Sequence, residues 1–433
     1  MEERLVYMAD KFDLVVIGAG PGGYEAAIEG VQKGMKVALV ENRELGGTCL
    51  NRGCIPTKTI IHTAELYHEL QSGPSIGLTV REPAVDMEMV QKRKDEVLEQ
   101  LRKGIASLMK TNKISVYYGT GTILDREHVK VAAAEDTSEG KSEGKSEGKP
   151  EGKSEEQPGG QKQDQVVLET SHILIATGSV PACPPIPGSS LPGVVTSDGL
   201  LDKKDMFEHL IIIGGGVIGM EFASFFNSLG VQVTVVEMMD EILGGMDKEL
   251  SALLRAEYTK RGIKFLLSTR VVGLSQTEEG AVVSYENAEG NGSVIAEKLL
   301  MSVGRRPVTK GFGLENLNLE KTERGAIRVN EKMQTSVPDV YVCGDLTGFS
   351  LLAHTAVREA EVAVHSILGK EDAMSYRAIP GVVYTNPEIA GVGETEESAS
   401  AKGITYQVIK LPMAYSGRFV AENEGVNGVC KVL

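Results

Sequence analysis

Two stretches of this chain repeat one architectural instruction. Residues 12–41 read FDLVVIGAGPGGYEAAIEGVQKGMKVALVE, and residues 210–237 read LIIIGGGVIGMEFASFFNSLGVQVTVVE. In the first, an apolar strand at 14–17 runs into Gly18, Gly20 and Gly23, a helical stretch follows, and a second strand at 37–40 ends in Glu41. In the second, Gly214, Gly216 and Gly219 take the three glycine positions and Glu237 ends the second strand. First glycine and acid lie 23 residues apart in both units (41 − 18 and 237 − 214). In such a βαβ unit the first glycine makes the tight turn and the second lets backbone approach a pyrophosphate. The third lets helix pack on strand, and the acid accepts from a ribose hydroxyl. The phosphates sit at the helix N-terminus, where free N–H groups point outward.

Charge selects the nucleotide of the second unit. Glu237 repels a 2′-phosphate and suits a free 2′-hydroxyl, and the following MMDEILGG holds no Arg or Lys to bind one. NAD(H) is therefore favoured over NADP(H). The expected fold class is α/β, with two Rossmann-like dinucleotide-binding domains.

The bulk numbers narrow the setting. A chain of 433 residues exceeds one core, so several domains are expected. A net charge of −15 argues against nucleic acid as a partner. No apolar run reaches the ~18–20 residues a membrane span needs. MEERLVYMAD lacks the basic-then-apolar order of a signal peptide, so a cytoplasmic setting is expected.

In that setting GGTCLNRGCIPTK, residues 46–58, demands an account, because Cys49 and Cys54 are two of only five cysteines. Structural disulfide, metal site and redox couple are the alternatives. Cytoplasmic thiols stay reduced unless a disulfide is catalytic. Zinc needs four ligands, and no second CxxC or His pair lies nearby, so no metal is expected. In a regular helix, residues five apart lie ~8–9 Å from each other, beyond the ~7 Å limit for a bridge. A bridge thus requires irregular backbone, which Gly53 permits. A redox couple fits best, with one thiol facing an electron acceptor and the other facing a thiol substrate. Cys183, Cys343 and Cys430 stand alone and read as plain buried residues.

GGTCLNRGCIPTK closely resembles the redox-active motif of the pyridine nucleotide-disulfide oxidoreductases. ILIATGS (173–179), SVGRRP (302–307), TSVPDVYVCGD (335–345), LLAHTA (351–356) and IPGVVYTNPEIAGVGETE (379–396) resemble that family in the family's order. The resemblance implies FAD on the first unit and NAD on the second. It makes Cys54 the thiol beside the flavin, forming a thiolate–flavin charge-transfer pair, and Cys49 the interchange thiol. Lys58 becomes the lysine near flavin N5, and Glu221 the acid on the nicotinamide side. Asp345 would hold the ribityl chain, Gly119 and Gly121 would touch the adenosine end, and Gly178 would mark the exit from the FAD domain. Gly304 in SVGRRP and Ala353 in LLAHTA join the cofactor-binding set.

The implied domains are 1–183 for FAD, 184–306 for NAD, 307–372 as a central domain completing the FAD site, and 373–433 as a partial α+β interface domain. The implied reaction oxidises protein-bound dihydrolipoamide and delivers a hydride to NAD+. The partner is a lipoyl-bearing protein of a 2-oxoacid dehydrogenase or glycine cleavage complex, and a full-length chain would form a homodimer. The arginines an NADP-linked glutathione reductase needs are lacking, as is the extra cysteine pair of a mercuric reductase.

Three departures are expected to matter. Residues 136–165 repeat SEGK and hold almost nothing apolar, so they read as a disordered spacer. It would lengthen the tip of a hairpin whose strands lie near 129–133 and 166–168, at small entropic cost. Residues 1–7 read as an optional extension. Residues 373–433 match only the start of the family's interface domain, which implies a C-terminally truncated member without the His–Glu acid–base pair. None of His62, His68, His128, His172, His209, His354 and His365 has that context, and LLAHTA makes His354 a flavin-segment residue. Lipoamide turnover should then fall steeply, since such acid–base help contributes roughly 10²–10⁴-fold. Two rival readings follow: another NAD(P)H-dependent disulfide reductase of this fold, or a catalytically incomplete flavin-binding assembly subunit.

Overall fold

The computed structural model describes residues 7–8, 11–132, 165–423 and 427–433. The SEGK repeats and most of the N-terminal extension fall outside them. The chain divides into two compact units, each assembled from separated segments.

The first unit comprises Met1–Asn51, Gln100–Val180 and Pro307–Met374. Its parallel sheet runs Ser115–Tyr118, Val37–Glu41, Phe12–Ile17, Gln165–Ile175, Val340–Val342. All five residues of VALVE are buried, as are five of the six of FDLVVI. That is the near-continuous apolar run of strands covered on both faces. The eleven-residue strand Gln165–Ile175 is shared between two layers. Its first half pairs antiparallel with His128–Ala132, which pairs with Thr120–Ile123. Its second half lies between Phe12–Ile17 and Val340–Val342. The hairpin strands expected near 129–133 and 166–168 are these. Helix Pro21–Gln32 buries only Gly and Ala (Gly22, Gly23, Ala26, Ala27, Gly30), so it lies close to its neighbours. A Cβ on Gly22 would meet Cys343 Sγ at 2.9 Å and the Ala356 carbonyl at 3.0 Å.

The second unit comprises Arg52–Glu99, Pro181–Arg306 and Ser375–Leu433. Its parallel sheet runs Lys264–Leu266, Gln232–Val236, His209–Ile213, Lys298–Met301, Val194–Val195. An antiparallel meander, Arg270–Thr277, Gly280–Asn287 and Gly290–Ala296, follows. Helix Val217–Ser228 is buried over most of its length, with Phe222, Phe225 and Phe226 in one core with Ile60 and Ile61 of helix Cys54–Ser72. Val383 and Ile389 of a short hairpin join that core. No described helix is long and apolar enough to cross a membrane.

Candidate redox and dinucleotide site

The two glycine fingerprints fold alike to the level of single hydrogen bonds. Gly18 and Gly214 sit at φ +101° and +102°, a conformation that strains any residue with a Cβ. A Cβ on Gly23 would stand 1.8 Å from the Gly18 carbonyl oxygen, and one on Gly219 would stand 2.1 Å from that of Gly214. Gly20 and Gly216 are extended, at ψ −179° and −177°, just ahead of helices Pro21–Gln32 and Val217–Ser228. Neither helix start has a side-chain cap or an acid in its first turn. A Cβ on Gly216 would meet nothing within 4 Å, so there is open space beside the start of this helix. These helix starts therefore fit a pyrophosphate.

The two strand-end acids brace their loops identically. Glu41 Oε2 accepts from the Ala19 N–H at 2.7 Å and Oε1 from the Arg43 N–H at 2.8 Å. Glu237 Oε2 accepts from Gly215 at 2.6 Å and Oε1 from Met239 at 2.8 Å. Ser302 adds a brace in the second unit only, its hydroxyl donating to the carbonyls of Ile213 and Gly214 at 3.0 and 2.9 Å.

The dithiol segment is seated on the first fingerprint. The Gly46 N–H donates to the Ala19 carbonyl at 2.8 Å. Gly47, at φ +58°, lies so close to Gly20 that a Cβ would stand 2.5 Å from its Cα. Glycine at 47 is thus a steric requirement of this docking, while a Cβ on Gly46 would meet Leu50 of its own segment at 2.7 Å. Helix Gly47–Arg52 starts there and carries Cys49. Asn51 fastens it by donating to the carbonyls of Leu45 and Gly47 at 3.0 and 2.9 Å. Burial, then the charges of Glu25 and Cys49, push the Tyr24 phenol up. The helix breaks at Gly53 (φ −142°, ψ −109°), and Cys54 opens the next helix, Cys54–Ser72. The irregular backbone expected at Gly53 is present. A cysteine at a helix start gains from the positive end of the dipole, which favours its thiolate.

Lys58 stands one helical turn after Cys54. Its ammonium donates to Glu221 Oε1 at 2.8 Å and Oε2 at 3.0 Å. Glu221 is almost wholly buried, its side chain 5% exposed against 33% for Lys58. The same Oε1 accepts the backbone N–H of Tyr384 at 3.2 Å, and the Tyr384 ring lies 4.4 Å from the ammonium. Tyr384 is therefore a member of this cluster that the sequence did not single out, being one letter within a longer motif.

The remaining expected positions are dispersed. Gly119, at φ +156°, turns the chain between Ser115–Tyr118 and Thr120–Ile123, and a Cβ there would meet the Ala132 carbonyl oxygen at 2.1 Å. Gly121 lies against Val40, 3.1 Å from where its Cβ would be. Gly178, at φ +67°, accepts from the Val308 N–H at 3.0 Å. Asp345 accepts from the Ser179 hydroxyl at 2.5 Å, a partner the sequence did not reveal. Ala353 opens helix Ala353–Ile367, another start without a side-chain cap or acid. Gly304, at φ +107°, accepts from Ala182 at 2.9 Å in the second unit.

Twin glycine loops, a dithiol segment docked on one of them, and a part-buried lysine–carboxylate pair one turn from a thiol are the features of a class of redox flavoenzyme. Residues 12–360 match the pyridine nucleotide-disulphide oxidoreductase family and residues 379–433 match its dimerisation domain. The chain belongs to that family. It is 38% identical to dihydrolipoyl dehydrogenase 3 of Pseudomonas aeruginosa over 98% of this chain and 86% of that relative. It is 36% identical to the dihydrolipoyl dehydrogenase of Chlamydia pneumoniae over 96% of this chain and 82% of that relative. Among solved structures it is similar to the Cu(II) complex of the HOCl-induced flavoprotein disulfide reductase RclA from Escherichia coli. That likeness has a TM-score of 0.79 and 29% identity, over 98% of this chain and 86% of that one.

Proposed function

We propose that this chain is an NAD-linked dihydrolipoyl dehydrogenase, acting as a homodimer on a lipoyl-bearing protein in the cytoplasm. The reaction balances as dihydrolipoamide plus NAD+ giving lipoamide, NADH and a proton. A lipoyl thiolate attacks Cys49 Sγ, breaking the Cys49–Cys54 bond and releasing Cys54 as thiolate. The second lipoyl thiol attacks the mixed disulfide, frees Cys49 and closes lipoamide. FAD, when bound at the first fingerprint, carries the electron pair onward to NAD+. Gly18, Gly20, Gly23 and Glu41 would hold that flavin's pyrophosphate and ribose, and Gly119, Gly121, Gly178, Asp345 and Ala353 would complete its site. Gly214, Gly216, Gly219, Glu237 and Gly304 serve NAD. Lys58, fixed by Glu221, keeps positive charge one turn from the Cys54 thiolate.

The observation that supports this reading is the seating of Gly47 on Gly20, which brings the start of the dithiol segment against the glycine loop proposed for the first nucleotide. The test is an anaerobic NADH titration of FAD-loaded protein, followed by an assay of NADH formed from dihydrolipoamide. Long-wavelength absorbance on reduction, together with turnover, is expected. Flavin reduction without that absorbance would overturn the relay. The likeness to RclA favours a second reading, a disulfide reductase with another substrate. Full spectral coupling without turnover of dihydrolipoamide would select it.

A further inference from the structure

One residue touches both members of the buried ion pair by different means. The ring of Tyr384 lies 4.4 Å from the Lys58 ammonium, while its backbone N–H donates to Glu221 Oε1 at 3.2 Å. The segment around it is fastened to the same helix. The Asn386 N–H donates to the hydroxyls of Ser224 at 3.3 Å and Tyr258 at 3.1 Å. Glu221 and Ser224 lie three residues apart on one face of helix Val217–Ser228 and receive the alternate N–H groups of 384 and 386. Thr385, between them, is fully buried, and its hydroxyl donates to the Pro387 carbonyl at 2.7 Å. The backbone at 384 is thus fixed by its neighbours, while Tyr384 as a residue is 39% exposed and its ring packs over a cation.

We propose that Tyr384 is a positioning residue for the redox thiol: its ring holds the Lys58 ammonium one turn from Cys54 and so sustains the Cys54 thiolate. The inference rests on the reading of Cys54 and Lys58 as parts of one redox centre. The physical chain is short. A ring face attracts a cation at this distance, most strongly where water is partly excluded. Lys58 lies at i+4 from Cys54, so the two share a helix face. A cation there favours the charged form of the thiol. Loss of the ring leaves the backbone contact with Glu221 and the Lys58–Glu221 ion pair, and removes the ring's own hold on the ammonium. Residues 379–433, matched to the dimerisation domain, include Tyr384. Through it that segment acts on the charge around Cys54 without supplying a reacting group.

The test follows Cys54 alone. Reduced Cys49→Ser protein is alkylated with iodoacetamide across pH, and the Cys54 peptide is quantified by mass spectrometry. Tyr384→Leu should raise the midpoint so that thiolate at neutral pH falls by roughly threefold to tenfold. Tyr384→Phe, which keeps the ring, should restore the original profile. Adding Tyr384→Leu to Lys58→Met should cause no further shift, because the ring acts through the lysine. A shift with Lys58→Met but none with Tyr384→Leu would overturn the role of Tyr384. An additive shift in the double variant would overturn its action through Lys58. If Tyr384→Leu folds poorly, Tyr384→Gln replaces it at this partly exposed position with the same expectations. Failure of dihydrolipoamide turnover with these shifts intact would sink the proposed substrate and leave this inference standing.

Discussion

Glu237 Oε2 accepts the backbone N–H of Gly215 at 2.6 Å, and 196 positions earlier in the chain (237 − 41) Glu41 Oε2 accepts that of Ala19 at 2.7 Å. The acid at each strand end therefore shapes its glycine loop, beyond the ribose contact proposed for it. Glu237→Ala leaves the Gly215 and Met239 N–H groups without these acceptors, a loss of ~1–3 kcal/mol for a buried donor. At tenfold per 1.4 kcal/mol, NADH binding should weaken by about tenfold or more while FAD content is unchanged. Glu41→Ala should do the reverse and empty the flavin site. Isothermal titration with NADH and the visible spectrum of the purified variants check both. Equal FAD loss in the two variants would refute the division of labour between the loops.

The glycines separate into those the fold needs and those a ligand needs. A Cβ at Gly23 would stand 1.8 Å from the Gly18 carbonyl oxygen, and that oxygen is backbone and cannot swing away. Gly23→Ala should cost at least the ~1–3 kcal/mol of overpacking and yield little soluble flavoprotein. Gly216 is extended and its Cβ would meet nothing within 4 Å. Gly216→Ala should melt close to the parent temperature yet bind NADH at least tenfold more weakly, since the methyl occupies the pyrophosphate approach. Thermal melts with and without NADH decide this. A Gly216→Ala protein with unchanged NADH affinity would remove that loop from the binding site.

What the sequence made legible was local. The fingerprints, their acids and the break at Gly53 depend on residues within one supersecondary unit, where spacing and glycine chemistry suffice. The partnership of Lys58 with Glu221 spans 163 residues, and that of Ser179 with Asp345 spans 166. Nothing periodic announces such pairs, because they arise when separate segments meet in a finished core. Tyr384 was hidden for a further reason. One of its two contacts with the ion pair is made by a backbone N–H, which every residue except proline possesses.

Lys431 shows how charge secures the hairpin Ile409–Pro412 with Val429–Val432. Its side chain is 5% exposed and contacts Asp247 at 2.8 Å, Glu249 at 3.0 Å and Glu396. Burial opposes its charge, but hydrogen bonds to these three carboxylates outweigh that and raise its pKa above the ordinary lysine value. The stabilisation is therefore present below that ordinary value and lost only as pH rises past the raised one. Lys431→Met should cost roughly 3 kcal/mol, the low end for orphaning buried charge, because Glu249 and Glu396 remain about a third exposed. Urea denaturation at pH 7 measures the loss. Faster tryptic cleavage at Lys410 or Arg418 would localise it to this segment, and unchanged cleavage would refute the locking role.

Asp372 gives the first unit an acid-sensitive fastening. The Arg358 guanidinium, helped by His365 Nδ1 at 2.7 Å and opposed by partial burial, holds its carboxyl down to about 2. Arg358 also grips Glu361 at 2.6 Å, and His365 Nε2 reaches Glu29 at 3.2 Å, so Asp372 holds the imidazole through which helix Ala353–Ile367 meets Glu29 of helix Pro21–Gln32. An unfolded aspartate titrates near 3.9. Its folded pKa is the lower one, so the unfolded chain binds the proton more readily throughout the interval between them. Stability from Asp372 is therefore complete above about pH 4 and is lost as pH falls toward 2. Asp372→Asn should lower the urea midpoint at pH 7 and flatten its fall between about pH 4 and 2, since the variant has no such proton to take up. Midpoints at pH 7, 4 and 3 for parent and variant test this. Parallel pH curves displaced by a constant amount would mean that Asp372 contributes packing alone and that its charge is not what holds Arg358 and His365 in place.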